Sequence, residues 1–292
     1  MSNPKNSMVI LYAAVLLLAL NGLFSKLIPL DAVNITQLRS FLAAVTIFLF
    51  ITLRKRQLGL DNIQQYVGVY LIGVILGLHW ISFFHAMQVS TVAIGMLSLF
   101  TYPMITVLLE PFYTKQKIQL SDIVAALFVL FGIFIMLKDD MQSFNNDAVQ
   151  GVFWGVVSAF LFALRNVLQK YHFPKVASDR LMLHQLIAIA CMLLLFLDYT
   201  AVGELSNKDW LVLILLGVIS TATAHTLLSY SLKHFEAKSV AMISCMQPFL
   251  AALFAWFVLS EVPSASVLIG GTIVVSVALY ESLKKHLNSF SD

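Results

Sequence analysis

The residues of this 292-residue sequence that could do chemistry stand inside its most apolar stretches. Arg39, Glu110 and Arg165 carry charge there, and His79 and His225 can gain it. A charged side chain costs free energy in hydrocarbon, so such residues usually face protein or a water-filled cavity. A guanidinium can bind a carboxylate, whereas a carboxylate or an imidazole can take up and release a proton. The pattern therefore predicts an enclosed polar site within an apolar scaffold.

Motifs for covalent chemistry are absent from the sequence. We find no HExxH, no GxSxG and no Gly-rich phosphate loop, so neither an enzyme nor ATP-driven transport is predicted. Cys191 and Cys245 lie within apolar runs without CxxC spacing, so neither a disulfide framework nor a metal site is predicted. No cofactor is predicted.

The composition predicts that the chain lies in a membrane. Hydrophobic residues make up 60% of it and charged residues 11%, against roughly 45–50% and 25% in soluble domains. Ten apolar runs could cross a hydrocarbon core about 30 Å thick, and the short connections leave no room for a separate soluble domain. We therefore predict an all-α integral membrane protein with ten transmembrane helices. The predicted spans are approximately 8–27, 32–53, 66–87, 91–112, 122–137, 149–170, 181–198, 209–232, 238–259 and 264–283.

The positive charges predict the orientation of these spans. With the N-terminus inside, the inner side collects most of the 18 Lys and Arg residues, such as those at 54–56 and 115–117. Both termini are therefore predicted to be cytoplasmic, in the plasma membrane or, in a bacterium, the inner membrane. No basic segment precedes the first span, so it is predicted to be a retained helix. This distribution explains most of the net charge of +3, so no nucleic-acid partner is predicted.

An internal repeat divides the chain into two halves, 1–145 and 146–292. A shift of about 145 residues places Pro103 on Pro248, and a shift of 144 places ALNGLFSK on ALRNVLQK. Each half holds five predicted spans, and because five is odd the halves are predicted to be inverted repeats in the membrane. Inverted repeats are typical of transporters, in which two similar halves open a central site to each side in turn.

Two longer segments resemble a known family. FFHAMQVSTVAIGMLSLFTYPMITVLLEP, which ends at Pro111, and SYSLKHFEAKSVAMISCMQPFLAALFAWFVLSE, which ends at Glu261, look like the EamA-type members of the drug/metabolite transporter superfamily. The resemblance covers nearly the whole chain and implies export of small metabolites, often amino acids or their relatives. The first half departs from the family pattern, because Gln116 and not a glutamate stands thirteen residues after Pro103, and Glu110 comes early.

Polar residues repeat every four positions on several predicted spans, which places them on one helix face. On the fourth span this stripe is Ser98, Tyr102, Thr106 and Glu110, and the first, sixth and eighth spans carry shorter ones. Such stripes should line a cleft between the two halves. The residues predicted to bind substrate are Asn21, Arg39, His79, Trp80, Tyr102, Arg165, His225, Tyr230 and Gln247.

Several of these residues have an alternative role. Arg39 and Arg165 would make the cavity cationic and favour carboxylate-bearing substrates, but Arg39 could instead bind backbone carbonyls or lipid phosphate. His79 and His225 could relay protons, or could serve as hydrogen-bonding residues between helices. Aromatic residues such as Trp80 could form a wall for the substrate or pack against lipid and core.

Glu110 lies near the predicted cytoplasmic end of the fourth span, at a depth similar to that of Arg165 on the sixth. We hypothesise that these two side chains pair when the inner gate is shut. Alternatively, Glu110 reaches cytoplasmic water, or Lys115 and Lys117.

Pro103 and Pro248 are predicted hinges, because a proline inside a helix removes a backbone hydrogen bond and bends the helix. The freed carbonyls are tolerated in a membrane only where protein or cavity water satisfies them. Paired bends at equivalent points of the repeat would shape the cavity or act as pivots. Tyr102 and Gln247, each directly before a proline, are predicted polar contacts there.

Together these features predict a secondary-active transporter that exports a small metabolite, an amino acid or a related carboxylate-bearing compound, by alternating access. The alternatives are an exporter of cationic drugs or, less favoured, a channel or a lipid-handling protein. The predicted partners are a small-molecule substrate and the lipid bilayer. The sequence leaves open whether transport is coupled to protons and whether the working unit is a homodimer.

Overall fold

The described part of the chain is helical. A computed structural model describes residues 4–90, 92–115, 117–137, 146–259 and 265–288, and these residues contain helices, turns and short connections but no strand. The all-α class predicted from the sequence is therefore confirmed for the described residues. Gln116 and Glu261, at which the family pattern was compared, lie outside them.

Within these described ranges, seven α-helices lie in the first half of the chain and eight in the second. Leu194–Phe196 is a 3-10 turn, and Leu216–Thr223 is a π-helical stretch that joins two α-helices. The first seven are α1 (Pro4–Leu27), α2 (Ala32–Leu53), α3 (Ile63–Val89), α4 (Val92–Leu99), α5 (Tyr102–Leu109), α6 (Pro111–Thr114) and α7 (Leu120–Leu137). The others are α8 (Asn146–His172), α9 (Ser178–Leu193), α10 (Tyr199–Gly203), α11 (Asn207–Leu215), α12 (Ala224–His234), α13 (Ala237–Ser244), α14 (Gln247–Leu259) and α15 (Ala265–Asn288).

Several of these helices suit a membrane interior. In the part of the chain that the structure describes, five helical segments are long and apolar enough to cross a bilayer, and three shorter helical segments are also apolar. Large hydrophobic side chains such as Phe41 and Phe48 on α2 are exposed, which suits contact with hydrocarbon. The helices thus support a multi-pass membrane protein, and the count of ten spans stays a prediction. The five long segments are Ala32–Leu53, Ile63–Val89, Val149–His172, Ser178–Phe196 and Asn207–His234.

The predicted fourth and ninth spans are each broken near the middle. In the first half α4 ends at Leu99 and α5 begins at Tyr102, with Pro103 in its first turn. In the second half α13 ends at Ser244 and α14 begins at Gln247, directly before Pro248. A proline has no N–H to donate, so the helix cannot continue its hydrogen bonds through that position. The two breaks lie where the sequence predicts bends, and their role as hinges stays a prediction.

Helices of the two halves pack against each other throughout the molecule. α3 contacts α8 and α9, α1 contacts α12 and α14, α2 contacts α9, and α7 contacts α15. Glycines allow the closest approaches: a Cβ at Gly73 would lie 2.9 Å from the carbonyl oxygen of Gln185, and one at Gly132 would lie 2.9 Å from that of Gly270. Small residues at such crossings let helix backbones pack tightly in a membrane. The halves therefore form one packed body around a shared core.

Candidate functional site

A cavity of about 50 Å³ lies where the broken helices meet α1, α2, α3, α8 and α12. All the residues predicted to bind substrate except Arg165 and Tyr230 line it. A water occupies roughly 30 Å³ of liquid and ligand pockets about 300–1,000 Å³, so this conformation is nearly closed around the cavity. The lining residues are Leu18, Ala19, Asn21, Arg39, His79, Trp80, Phe83, Met96, Leu99, Phe100, Tyr102, Phe162, His225 and Gln247.

A wider groove of about 370 Å³ lies between α2 and α9. Its walls are largely apolar side chains such as Phe41, Phe48 and Leu183. None of the residues predicted to bind substrate lines it. The smaller central cavity is therefore the candidate site, because it holds the convergent polar groups that fix a ligand.

Arg39 is the one cationic side chain of the lining. Asp31 caps the start of α2 by accepting from two backbone N–H groups, which places Arg39 two turns into a well-defined helix. Its Nε donates to Thr221 Oγ1 at 2.9 Å and its Nη2 to Asn21 Oδ1 at 3.4 Å. The guanidinium carbon lies 4.4 Å from the centroid of a Trp80 ring, which is cation-π distance.

Within the described part of the chain, no carboxylate balances the charge of Arg39. Among the described residues the ion pairs involve other side chains, and no hydrogen bond is made by Arg39 Nη1. A guanidinium carries five N–H donors, so several of them are left for a ligand. A buried charge without a counterion is costly, and an anionic group in the cavity would remove that cost.

Arg165 lies outside the cavity lining and has a full set of partners. Its Nε and Nη2 donate to Gln185 Oε1 at 2.8 and 2.6 Å, and its Nη1 donates to Asn166 Oδ1 at 3.0 Å. Ser229 Oγ lies 3.5 Å from Nη2, and Gln185 Nε2 in turn donates to Gln169 Oε1 at 3.1 Å. The structure therefore places Arg165 in an amide network between α8, α9 and α12.

The two histidines differ in how they are satisfied. His79 Nδ1 lies 2.8 Å from Ser158 Oγ, and its ring stacks on Phe162 with centroids 4.5 Å apart. His225 Nδ1 is buried and has no hydrogen-bond partner within the described ranges, while its ring meets Trp80 edge to face at 5.0 Å. His225 Nδ1 is therefore a buried ring nitrogen left for a ligand or a proton.

The residues beside the two prolines also differ. The Tyr102 hydroxyl donates to the carbonyl of Ala241 at 2.9 Å, which ties α5 of the first half to α13 of the second. Gln247 begins α14 and lines the cavity. Tyr230, predicted to bind substrate, instead stacks on His234 at 4.3 Å and does not line the cavity.

Glu110 and Arg165 do not pair in this structure. The buried Glu110 carboxylate accepts from the Tyr171 hydroxyl at 2.5 Å and from the backbone N–H groups of Ala237 at 2.7 Å and Lys238 at 2.9 Å. No ion pair joins it to a lysine of the described chain. The pair of Glu110 with Arg165, hypothesised for the shut inner gate, stays a prediction.

Sequence reasoning missed Phe162 and Tyr171. Phe162 lies four residues after Ser158 and so shares the polar face of α8, but its apolar side chain gave no signal of a cavity residue. Tyr171 stands at the end of a predicted span, where a tyrosine is usually taken as an interface residue. Within the described ranges, no group of three or more His, Cys, Asp or Glu residues could hold a metal ion.

The sequence matches a family model twice. The model of the EamA-like transporter family matches residues 5–138 and again residues 149–280. The chain belongs to the EamA-like transporter family. Asn21, Arg39, His79 and Tyr102 lie in the first repeat and His225 in the second, so both repeats of this EamA-like transporter contribute polar side chains to the cavity.

Named relatives of this EamA-like transporter move different small molecules. An uncharacterised transporter of Archaeoglobus fulgidus is 27% identical, over 68% of this chain and 70% of its own. A pseudopaline exporter of Pseudomonas aeruginosa is 25% identical over 88% of each chain. An S-adenosylmethionine uptake transporter of Rickettsia felis is 22% identical, over 89% of this chain and 86% of its own. The family of relatives thus includes both exporters and importers.

A solved structure shows that the fold is shared. One crystal structure aligns with 94% of this EamA-like transporter and 95% of its own chain, with a TM-score of 0.80 and 18% sequence identity. The architecture described above therefore occurs in an experimentally determined protein.

Proposed function

We propose that this protein is a secondary-active transporter that exports a small carboxylate-bearing metabolite, such as an amino acid or a relative of one, by alternating access. The observation that carries the proposal is the buried Arg39 guanidinium, which lines the cavity with neutral partners and without a carboxylate from the described residues beside it. A substrate carboxylate would supply the missing counterion. Charge-assisted hydrogen bonds to a guanidinium are strong, so this contact would dominate recognition.

The surroundings of Arg39 suggest how such a substrate would lie. Its carboxylate would accept from Arg39 Nη1, and His225, whose Nδ1 has no hydrogen-bond partner in the described chain, is a second polar residue of the same lining. The side chain of the substrate would lie against the apolar part of the lining, which includes Met96, Phe100 and Phe162. The cavity must widen to admit it, and the breaks at Pro103 and Pro248 are the proposed hinges.

We infer that the chain spans the membrane ten times, as two inverted five-helix repeats with both termini in the cytoplasm of the cell's plasma or inner membrane. Reciprocal packing supports the repeat: α3 of the first half packs on α8, and α12 of the second packs on α1. The excess of positive charge on one side supports the orientation.

Coupling to protons is part of the proposal. Glu110 and His225 are the candidate carriers, because each is buried and each can change its charge. Export is proposed from the family resemblance, although named relatives include an importer, so the assay must follow transport in both directions. The oligomeric state of the working unit, monomer or homodimer, is measured on the same purified sample.

Binding by the purified protein tests the proposal first. Amino acids, organic acids and cationic drugs are screened for a rise in the unfolding temperature, because a ligand that binds only the folded state stabilises it. We expect shifts with carboxylate-bearing compounds that disappear in Arg39→Ala and persist partly in Arg39→Lys, the matched control that keeps the charge. Shifts with cationic drugs alone would overturn the proposal in favour of a multidrug exporter.

Transport by the reconstituted protein tests the mechanism. Proteoliposomes loaded with a compound that gave a shift are followed for efflux, uptake and counterflow. A carrier shows saturation and counterflow, whereas flux that rises linearly without counterflow would indicate a channel. An imposed proton gradient should change the initial rate if transport is proton-coupled.

A further inference from the structure

The turn between α12 and α13 is held from both sides by charged residues of other helices. Lys170 Nζ, on α8, donates to the carbonyl oxygens of Leu232, at 3.2 Å, and Phe235 at the end of α12. Glu110, at the end of α5, accepts from the N–H groups of Ala237 and Lys238 at the start of α13. A cation stabilises the carbonyl end of a helix and an anion stabilises the N–H end. Each charge therefore sits at the helix end that it suits.

The start of α13 depends on this outside help. Its own capping residue, Glu236, makes no side-chain cap hydrogen bond. The Tyr171 hydroxyl donates to Glu110 at 2.5 Å, and Tyr113 stacks on Tyr171 with ring planes 10° apart, which fixes the hydroxyl. Glu110, Lys170 and Tyr171 thus hold the turn at 235–236, and we call these three residues the latch.

Lys238, the charged residue that follows the latched N–H of Ala237, has an ion pair of its own. Lys238 Nζ forms an ion pair with Asp122 of α7 and lies 3.6 Å from Glu236. Lys117 lines the same small pocket as Glu110. Removing the charge of Glu110 would therefore leave the Lys238 ion pair in place while it loosens the cap of α13.

The latch is connected to the cavity through α13. This helix runs from Ala237, which the latch holds, to Ser244, and after the break Gln247 lines the cavity. The Tyr102 hydroxyl, also in the lining, binds the carbonyl of Ala241 within the same helix. A movement of α13 would thus be passed to Tyr102 and Gln247 in the cavity lining.

The other half of the sequence lacks a matching carboxylate. A shift of 145 residues places Glu110 on Ala255, which carries no carboxylate. The acidic member of the latch is therefore not repeated at the equivalent sequence position.

We propose that the latch of Glu110, Lys170 and Tyr171 closes one end of the cavity and must release α13 during each transport cycle. This proposal rests on the proposed function, because a latch on α13 matters only if the cavity opens to alternate sides. In the inferred orientation the latched end is cytoplasmic. Glu110 here acts on the backbone of α13, not on Arg165.

Labelling of Cys245 measures the state of the latch without any substrate. Cys245 is fully buried in the break between α13 and α14, between the latched residue Ala237 and the cavity residue Gln247. The exposed Cys191 is first changed to Ser, and the protein is placed in lipid nanodiscs. A water-soluble maleimide then reacts with Cys245 only when α13 moves.

In the Glu110→Gln variant, Cys245 should react with the maleimide at least about tenfold faster than in the parent. The substitution weakens charge-assisted hydrogen bonds that together favour the closed position of α13 by more than a factor of about ten. Tyr171→Phe and Lys170→Met should give smaller increases. Glu236→Gln is the matched control, since it removes one negative charge from the same turn without removing a cap, and it should react like the parent.

Equal labelling of Glu110→Gln and Glu236→Gln would overturn the latch. If Glu110→Gln does not fold, labelling of Tyr171→Phe and Lys170→Met decides the question by the same criterion. The result is independent of the substrate: faster labelling without transport of any carboxylate would sustain the latch and overturn the proposed function. Transport of a carboxylate together with unchanged labelling of Glu110→Gln would sustain the proposed function and overturn the latch.

Discussion

Arg39 and Arg165 are two buried guanidiniums in the two halves of the molecule, and they are satisfied to different degrees. Each meets an amide from the helix beside its own: Arg39 of α2 meets Asn21 of α1, and Arg165 of α8 meets Gln185 of α9. The repeat places Asn21 on Arg165 at a shift of 144 residues and Arg39 on Gln185 at a shift of 146. The arginine and the amide have therefore exchanged helices between the halves.

The exchange separates two roles. All three guanidinium nitrogens of Arg165 have partners, and the residue lies outside the cavity lining. Arg39 makes one short hydrogen bond and one of 3.4 Å, and it lines the cavity. A satisfied buried charge holds helices together, whereas an unsatisfied one gains free energy from a ligand. The same arginine–amide contact is thus present in both halves. In the second half all three guanidinium nitrogens are bound, whereas in the first half donors remain for a ligand.

Loss of Arg165 is expected to have the largest effect on stability. Arg165→Leu leaves Gln185 Oε1 and Asn166 Oδ1 without their donors in the protein interior, and each such group costs about 1–3 kcal/mol. We expect a loss of about 3 kcal/mol in the free energy of unfolding, measured by denaturant titration in detergent. A loss below that of Arg39→Leu would contradict the assignment of Arg165 as the structural arginine.

Loss of Arg39 should instead appear in ligand binding. Arg39→Leu removes two hydrogen bonds, one of them long, and a cation-π contact with Trp80. It also removes a buried charge without a counterion, which offsets part of that loss, so we expect the stability to fall by less than about 1.5 kcal/mol. The affinity for a carboxylate-bearing ligand should fall by at least about thirtyfold, because the lost charge pair is worth 2 kcal/mol or more. Calorimetric titration of both arginine variants checks this, and equal affinities would remove the distinction between the halves.

The polar lining of the cavity could be predicted because polar residues are rare and costly in apolar spans. Asn21, Arg39 and His225 were singled out on that ground, and all three line one cavity. The helical class and the family were likewise accessible from composition and from the repeated segments. Proline marked the breaks before Pro103 and Pro248, because its missing N–H acts locally along the chain.

What the sequence could not supply was the partner of each polar group. Spacing places Arg165 on a face of its own helix but does not say that Gln185 of the next helix will fill its donors. Glu110 is bound mainly by backbone N–H groups of Ala237 and Lys238, which carry no side-chain signal. Partners of this kind depend on which helix ends meet in space. Sequence spacing does not show this, so it could not test the predicted pair of Glu110 with Arg165.

A carboxylate placed beside Arg39 should give this guanidinium the counterion that it lacks. Asn21→Asp keeps the size of the side chain and offers the guanidinium a permanent counterion in place of an amide oxygen at 3.4 Å. We expect the affinity for a carboxylate ligand to fall about tenfold, while stability is kept or slightly raised, since the new ion pair competes with the ligand. Unchanged affinity in the same calorimetric titration would show that Arg39 does not bind the ligand carboxylate.

A second pair of equivalent contacts should show the smallest effect. Gln88 Nε2 donates to the carbonyl of Leu30 at 3.1 Å, and Lys233 Nζ donates to the carbonyl of Val176. The repeat places Leu30 on Val176 at a shift of 146 residues and Gln88 on Lys233 at a shift of 145. The same connection is thus held by an amide in one half and an ammonium in the other, as expected if only the second lies on the positively charged, inner side.

The two swaps should not be equivalent, because an amide both donates and accepts whereas an ammonium only donates. Gln88 Oε1 also accepts from the N–H of Ala32 at 3.2 Å, so Gln88→Lys should cost about 1 kcal/mol for the acceptor it removes. Lys233→Gln keeps a donor for Val176 and should cost about half of that. Unfolding midpoints of the two variants check the order, and a larger loss in Lys233→Gln would mean that its charge, and not its hydrogen bond, holds the second half in place.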